Sequence, residues 1–98
     1  MNIAKTKNGT ALTLALEGRL DTVTAPELEA TLKSELEGVT ELVFDLEKLD
    51  YISSAGLRVL LSAQKTMNSQ GSMKVLHANV MILEIFEITG FTDILTLE

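Results

Sequence analysis

The spacing of leucine changes early in the chain. Over residues 10–17 leucine recurs at every second position, which is typical of a strand with one buried face. Over residues 24–38 it recurs at every fourth position, which is typical of an amphipathic helix. The leucines are Leu12, Leu14 and Leu16 in the first segment and Leu28, Leu32 and Leu36 in the second. The sequence therefore predicts a strand followed by a helix that buries one stripe.

The rest of the chain continues this alternation of strands and helices. The predicted elements are a hairpin with its turn at residues 7–9, a helix over residues 24–38, a strand over residues 40–46, a helix from Ser54, a strand over residues 72–78, a helix between Asn79 and Gly90, and a strand near residues 94–97. Thr24 and Glu27 form a capping-box pattern at the start of the first helix. Such alternation predicts one α/β domain over residues 1–98, with parallel strands joined by right-handed crossovers.

Composition narrows the range of functions. The net charge of −6, from 8 basic and 14 acidic residues, opposes binding to the phosphate backbone of nucleic acid or to an anionic membrane surface. The chain has no cysteine, which excludes disulfides and cysteine-based metal sites. No window approaches the length of a membrane span, and the first residues lack the apolar core of a signal peptide. We expect a cytoplasmic protein without metal or cofactor and without direct contact to nucleic acid or membrane.

Two adjacent hydroxyl groups, those of Ser53 and Ser54, stand where a strand-like run gives way to a helical pattern. One interpretation is helix capping, which contributes about 1 kcal/mol but explains only one of the two serines. A second makes one serine a catalytic nucleophile, as in the G-x-S-x-G elbow of hydrolases. The segment reads S-S-A-G instead, and His77, the only histidine, lies at the end of a predicted strand. This disfavours an enzyme.

A third interpretation makes the serine pair a phosphorylation switch. Free backbone N–H groups and the positive end of the helix dipole favour an added phosphate at a helix start. Phosphorylation adds about −1.5 to −2 charges to one surface patch, which is enough to abolish a docking contact formed around a neutral hydroxyl. The residues by themselves permit this switch without selecting it.

Two segments carry a resemblance to a known family. YISSAGLRVLL resembles the signature of STAS domains, the anti-sigma factor antagonists, and EGRLDTVTAPELEATL resembles the family's other conserved block. The closing ITGFTDIL is similar to the family's usual ending, so the resemblance covers nearly the whole chain. It implies the STAS fold, a small mixed β-sheet packed with α-helices.

The resemblance also implies a non-enzymatic role in signal transduction and transcription regulation. Members of the family bind an anti-sigma factor that is a serine kinase and thereby free a sigma factor. The kinase phosphorylates the antagonist at the helix start, and a metal-dependent serine phosphatase resets it. The alternative function is a partner-switching or scaffold module in another signalling pathway, without sigma-factor control.

The same resemblance assigns site residues. When the Gly56-Leu57 pair is aligned with the family, Ser54 falls on the first hydroxyl position of the signature. Ser54 is therefore the expected phosphorylation site, with Ser53 as the alternative. The expected partner-binding residues are Asp21, Ser53, Ser54, Ala55, Gly56 and Arg58. Gly56 is expected to mark a tight turn or a close backbone approach, since a glycine inside a helix costs about 1 kcal/mol relative to alanine.

Three features outside the serine pair carry expectations of their own. Asp21 either makes a polar contact beside the serine or caps a turn. Arg58 is expected on the outward face of the second helix, at the rim of a partner contact. The last helix has only Glu84 and Glu87 as charged residues, so its apolar stripe is wide. We expect this stripe to be buried against the sheet and the closing strand, whereas an exposed remainder would indicate an interface.

Overall fold

The strands and helices follow the predicted order in the structure, a computed structural model that describes residues 1–98. The strands are β1 (Asn2–Asn8), β2 (Ala11–Leu20), β3 (Glu41–Ile52) and β4 (Ser72–Leu76); the helices are α1 (Ala25–Glu35), α2 (Ser54–Gln70) and α3 (Val80–Ile88), followed by a 3-10 turn at Phe91–Asp93. The predicted α/β class is confirmed. None of the helices combines the length and the apolar character needed to cross a bilayer.

The four strands form one mixed sheet in the order β1-β2-β3-β4. β1 and β2 are an antiparallel hairpin, whereas β2 pairs with β3, and β3 with β4, in parallel. The two parallel pairs are connected through α1 and α2, as crossover connections require. Two irregularities in the pairing with β2 give β3 extra residues near its carboxyl end, where Leu20 is paired with Ile52. The predicted mixed sheet is therefore confirmed.

The core lies between the helices and one face of the sheet. Its buried apolar side chains form a single cluster of 24 residues, which includes the six leucines of the two periodic segments. Phe44 of the central strand is fully buried in it, whereas the alternate residues Val43 and Asp45 are only half-buried. The helices therefore cover one face of the sheet, and the alternating leucines of β2 lie on that face.

The predicted capping box at α1 is wrong. The Thr24 hydroxyl makes no capping bond to the helix. It donates to the carbonyl oxygen of Arg19 at 2.8 Å and accepts from the backbone N–H of Asp21 at 2.9 Å. The hydroxyl is thus used to fold the loop before the helix, which leaves it unavailable as a cap. The predicted cap of α3 is confirmed, because the Asn79 side chain accepts from the N–H of Ile82 at 2.8 Å.

The predicted closing strand over residues 94–97 is also wrong, as is the expected burial of α3 beneath it. Leu97 alone pairs with β4, opposite Val75. The 3-10 turn that precedes it brings Leu95 into the core, which leaves too few residues for a ladder. α3 itself buries only Ile82 and Phe86, and on its other side Val80 and Ile88 are 72% and 85% exposed.

Candidate functional site

The carboxyl ends of β2 and β3 meet at one edge of the sheet and bring two distant segments together. Ser53 follows β3 and donates its backbone N–H to the carbonyl oxygen of Leu20, the last residue of β2, at 2.9 Å. Asp21 is the next residue after Leu20, and Ser54 begins α2. The predicted site residues Asp21, Ser53 and Ser54 therefore lie side by side.

The two serines have different environments. Ser53 occupies the N-cap position of α2, with φ −100° and ψ 176°, but its side chain makes no capping hydrogen bond. Its Oγ is buried and has no hydrogen-bond partner. Ser54, in contrast, is exposed in the first turn of the helix. The capping interpretation is therefore not borne out for the Ser53 hydroxyl, and Ser54 presents the accessible one.

Gly56 lets α2 pack directly on the ends of the two strands. A Cβ at this position would lie 2.6 Å from Cγ of Leu20 and 2.9 Å from Cγ1 of Ile52, closer than real Cβ contacts. The expected close approach at Gly56 is thus confirmed. The glycine itself is buried and Ala55 is half-buried, so this packing fixes the position of the exposed Ser54.

Asp21 caps the turn that precedes α1. Its carboxylate accepts from the backbone N–H groups of Val23 at 3.0 Å and Thr24 at 3.1 Å. The backbone hydrogen bond from Thr24 is the largest cause of a lowered pKa of Asp21, and the nearby Arg19 guanidinium adds to it. Asp21 is therefore an ionised turn cap. No hydrogen bond joins it to either serine, so it flanks the hydroxyl as a fixed negative charge.

Arg58 lies one turn after Ser54 on α2. Residues four apart on a helix are neighbours on its surface, so the guanidinium and the hydroxyl share one face. Arg58 is exposed, as predicted, and together with Ala55 it lines a groove of about 570 Å³ between α1 and α2. The exposed side of this edge therefore combines a hydroxyl, a cation and a carboxylate.

His77 belongs to a different part of the molecule. It follows β4 in a left-handed conformation, with φ 61°, and its Nδ1 is 3.0 Å from Oδ1 of Asp45 on β3. The side chains of Asp45, Glu47 and His77 are the group that could hold a metal ion, with ligand atoms all within 4.8 Å of one another. These potential ligands lie along the strands, away from the serine pair.

The distance between His77 and the serines follows from the strand register. Asp45 is paired with Ala15 of β2, whereas Ser53 is bonded to Leu20 at the end of the same strand. At about 3.3 Å per residue, that stretch of β2 is roughly 17 Å long. This is too far for His77 to remove a proton from either serine.

The contact between His77 and Asp45 predicts a pH dependence of stability. The hydrogen bond that the protonated His77 ring donates to the Asp45 carboxylate raises the pKa of His77 above its ordinary 6.5 and lowers the pKa of Asp45 below 3.8. The stabilisation of the fold by His77 is thus complete below about pH 6.5 and is lost as the pH rises through its raised pKa. The stabilisation by Asp45 is lost as the pH falls through its lowered pKa.

We expect the melting temperature to fall between pH 6 and pH 8.5 in the parent and to fall less in His77→Gln, as measured by thermal unfolding in matched buffers. The Lys74→Gln variant, which removes a surface cation from the same strand as a control, should keep the parent profile. Identical profiles for the parent and His77→Gln would contradict the predicted role of this pair.

Comparison with known proteins agrees with this geometry. Residues 2–98 match the family model of the STAS domain. The chain belongs to this family. The STAS domain is 38% identical over 96 residues to BtrV of Bordetella bronchiseptica, which is named as an anti-sigma factor antagonist; the match covers 96% of this chain and 83% of BtrV. It is 30% identical to the anti-sigma-B factor antagonist of Staphylococcus aureus, over 97% of this chain and 90% of the relative.

The fold of the STAS domain is also that of SpoIIAA, a cell-fate determinant of Bacillus. The unphosphorylated form of SpoIIAA matches with a TM-score of 0.78 at 15% identity, covering 99% of this chain and 87% of the other. The phosphorylated form matches with the same TM-score at 16% identity, covering 99% and 91%. Both comparisons confirm the STAS fold.

Two residues that shape the site escaped the sequence reasoning. Leu20 and Ile52 pair at the ends of their strands, and Gly56 packs against both side chains. Leu20 continues the apolar alternation of β2 beyond its predicted end at residue 17, whereas Ile52 lies beyond the predicted end of β3 at residue 46 and past the charged Lys48 and Asp50. The STAS domain thus places its exposed serine by apolar packing between a strand pair and a glycine, and the recurrence of leucine at Leu20, in step with Leu12, Leu14 and Leu16, is the signal for the part that β2 contributes.

Proposed function

We propose that this STAS domain is an anti-sigma factor antagonist. In the unphosphorylated state it binds an anti-sigma factor serine kinase and so releases a sigma factor. Phosphorylation of Ser54 by that kinase ends the binding, and a metal-dependent serine phosphatase restores it. The domain is the substrate of both enzymes and carries out no reaction itself.

The observation that supports this proposal is the difference in exposure between the two serine hydroxyl groups. A kinase must reach the hydroxyl oxygen that it phosphorylates, and the Oγ of Ser53 is buried. Ser54 is exposed at the first position of α2. Accessibility therefore supports Ser54 over Ser53 as the site of modification.

The surroundings of Ser54 suit a phosphate as well as a hydroxyl. The first backbone N–H groups of a helix have no partner within it, and together with the helix dipole they favour a negative group. Arg58 adds a cation one turn away. Phosphorylation would therefore leave the fold intact while adding about −1.5 to −2 charges to the exposed face. The switch acts on docking rather than on folding.

The known relatives support the direction of this proposal. BtrV and the S. aureus relative are both named as anti-sigma factor antagonists, and both match almost the whole chain. SpoIIAA, which shares the fold, has been solved in unphosphorylated and phosphorylated forms. The assignment of the kinase and the phosphatase as partners comes from the family resemblance of the serine segment.

Adding a negative charge at Ser54 is expected to preserve or raise stability. Ser54→Asp places a carboxylate at the positive end of the helix dipole, which should stabilise the domain by about 0.3–1 kcal/mol. Ser62→Asp, an exposed change in the middle of the same helix, is the matched control and should gain nothing. Urea unfolding measures both. A loss of more than about 1 kcal/mol in Ser54→Asp, the usual scale of a lost cap, would contradict a site built to accept phosphate.

Phosphorylation in vitro tests the proposal. The anti-sigma factor kinase from the same genome is incubated with ATP and with the parent, Ser53→Ala or Ser54→Ala. We expect the parent and Ser53→Ala to incorporate phosphate and Ser54→Ala to remain unmodified. Incorporation into Ser54→Ala at the parent level would overturn the site, and no incorporation into any of the three would favour a scaffold module in another pathway.

A further inference from the structure

The third helix exposes several large apolar side chains, whereas the first two expose none. The exposed residues of α2 are polar or charged, among them Arg58 and Lys65. On α3, in contrast, Val80, Met81 and Ile88 are 72%, 53% and 85% exposed. Single apolar residues on a surface are ordinary, but several on one short helix mark an interaction site.

These side chains share one side of the helix. At about 100° per residue, the positions opposite the buried Ile82 and Phe86 form a continuous arc. We call this arc the α3 outer face; it consists of Val80, Met81, Leu83, Glu84, Glu87 and Ile88. The two glutamates lie among the apolar side chains, so the face is apolar and acidic at once.

Charge decides which kind of partner fits the α3 outer face. Residues 75–98 contain Glu84, Glu87, Asp93 and Glu98 but no lysine or arginine. A second copy of the chain would bring the same negative charges into contact, and like charges facing each other oppose binding. The complementary partner is a different protein whose surface combines apolar side chains with lysine or arginine.

The α3 outer face begins near the edge that carries the serine. The Asn79 side chain, at the start of α3, donates to the carbonyl oxygen of Leu49 on β3 at 3.1 Å. Leu49 lies close to the carboxyl end of β3, where Ser53 and Ser54 follow. At about 3.3 Å per residue, Leu49 lies about 13 Å from Ser53, and a partner contact of standard size, about 800 Å² per side, is wide enough to cover Ser54 and the start of α3 together.

We infer that the α3 outer face is a second docking surface for the anti-sigma factor kinase, and that the matching surface of the kinase is apolar and basic. This inference rests on the proposed function. It adds a surface that strengthens binding of the kinase and that phosphorylation of Ser54 does not alter. Ser54 sets whether the complex forms, whereas α3 supplies apolar contact area and charge complementarity.

Titration calorimetry with the purified kinase from the same genome and the full chain tests the inference. One variant pair, Val80→Ser with Ile88→Ser, removes apolar area, and a second, Glu84→Lys with Glu87→Lys, reverses charge. Each pair is expected to raise Kd about tenfold, the effect of truncating an interface residue that carries binding energy. The control, Glu37→Lys with Glu41→Lys, makes the same change in net charge at and just before the amino end of β3, the far end of that strand from Ser54, and should leave Kd within about twofold of the parent, since distant surface charges are screened.

The outcomes separate this inference from the proposed function. If both α3 pairs bind like the parent while Ser54→Asp loses binding, the second docking surface is overturned and the switch stands. If the parent itself does not bind the kinase, the proposed function and this inference both fall. If the parent is a dimer that the α3 variants dissociate, with kinase binding unchanged, the face belongs to a second copy and the inference is overturned. Thermal unfolding confirms that each variant is folded.

Discussion

Ser54→Asp is expected to bind the anti-sigma factor kinase at least about tenfold more weakly than the parent, because a charge introduced into a desolvated contact costs more than about 1.4 kcal/mol. Ser54→Ala is expected to bind like the parent and to remain permanently active, since it cannot be phosphorylated. The weakening by aspartate should be smaller than that by phosphate, because one charge replaces about −1.5 to −2. Calorimetric titration with the kinase measures all three forms.

Two control variants test whether the weaker binding comes from the charge at Ser54 itself or from any change in charge or hydroxyl groups on α2. Ser69→Asp adds the same charge to an exposed position about four turns further along α2, outside the groove that Arg58 lines, and it should bind within about twofold of the parent because surface charges at that distance are screened. Ser53→Ala removes the buried hydroxyl and should also bind like the parent. Unchanged binding in both Ser54→Asp and Ser54→Ala would mean that the docking contact does not include Ser54.

Gly71→Ala is expected to destabilise the domain by about 3 kcal/mol, at the upper end of the cost of overpacking. Gly71 joins α2 to β4, and a Cβ there would overlap the backbone of Thr40, lying 2.7 Å from its carbonyl carbon. The carbonyl oxygen of Thr40 cannot move away freely, because it accepts the N–H of Ser72 at 2.9 Å. Urea unfolding should show the loss as a lower midpoint.

Gly38→Ala is the matched control for that prediction. A Cβ at Gly38 meets nothing within 4 Å, so only its left-handed backbone, with φ +79°, opposes the change. We expect a cost of about 1 kcal/mol, the usual penalty of a side chain in that conformation. Equal losses for Gly71→Ala and Gly38→Ala would show that the contact with Thr40 does not constrain the junction.

Local patterns predicted the elements but not where they end. The leucine spacing located β2 and α1, because the two periods differ and the buried face is apolar. β2 and β3 nevertheless run past their predicted ends, through polar residues such as Arg19 and Lys48. Those residues are strand residues because the neighbouring strand pairs with them, and pairing partners distant in sequence leave no trace in a local pattern.

At the site, too, some features can be predicted from neighbouring residues in the sequence, whereas others depend on residues that are distant in the sequence. The serine pair and Gly56 could be found from the sequence, since they stand at a strand-to-helix junction. The burial of the Ser53 hydroxyl and the close approach of Leu20 to Gly56 are revealed only by the fold. Thr24 was misassigned for a related reason, because its hydroxyl is taken by the carbonyl oxygen of Arg19.

No local pattern in the sequence predicts the contact between His77 and Asp45. It exists because the register of β3 and β4 places the end of β4 opposite Asp45. The exposed side of α3 was anticipated only as an alternative to burial. Only Ile82 and Phe86 of α3 are buried, so the side of the helix that faces away from them is exposed.

The most direct test of the phosphorylation switch is mass spectrometry of the protein purified from its own cells under several growth conditions. The tryptic fragment LDYISSAGLR contains both serines of the site and no other hydroxyl except that of Tyr51. We predict a phosphate on Ser54 in a fraction of the molecules that changes with growth condition. Phosphate on Ser53, or no phosphate on this fragment under any condition, would contradict the switch.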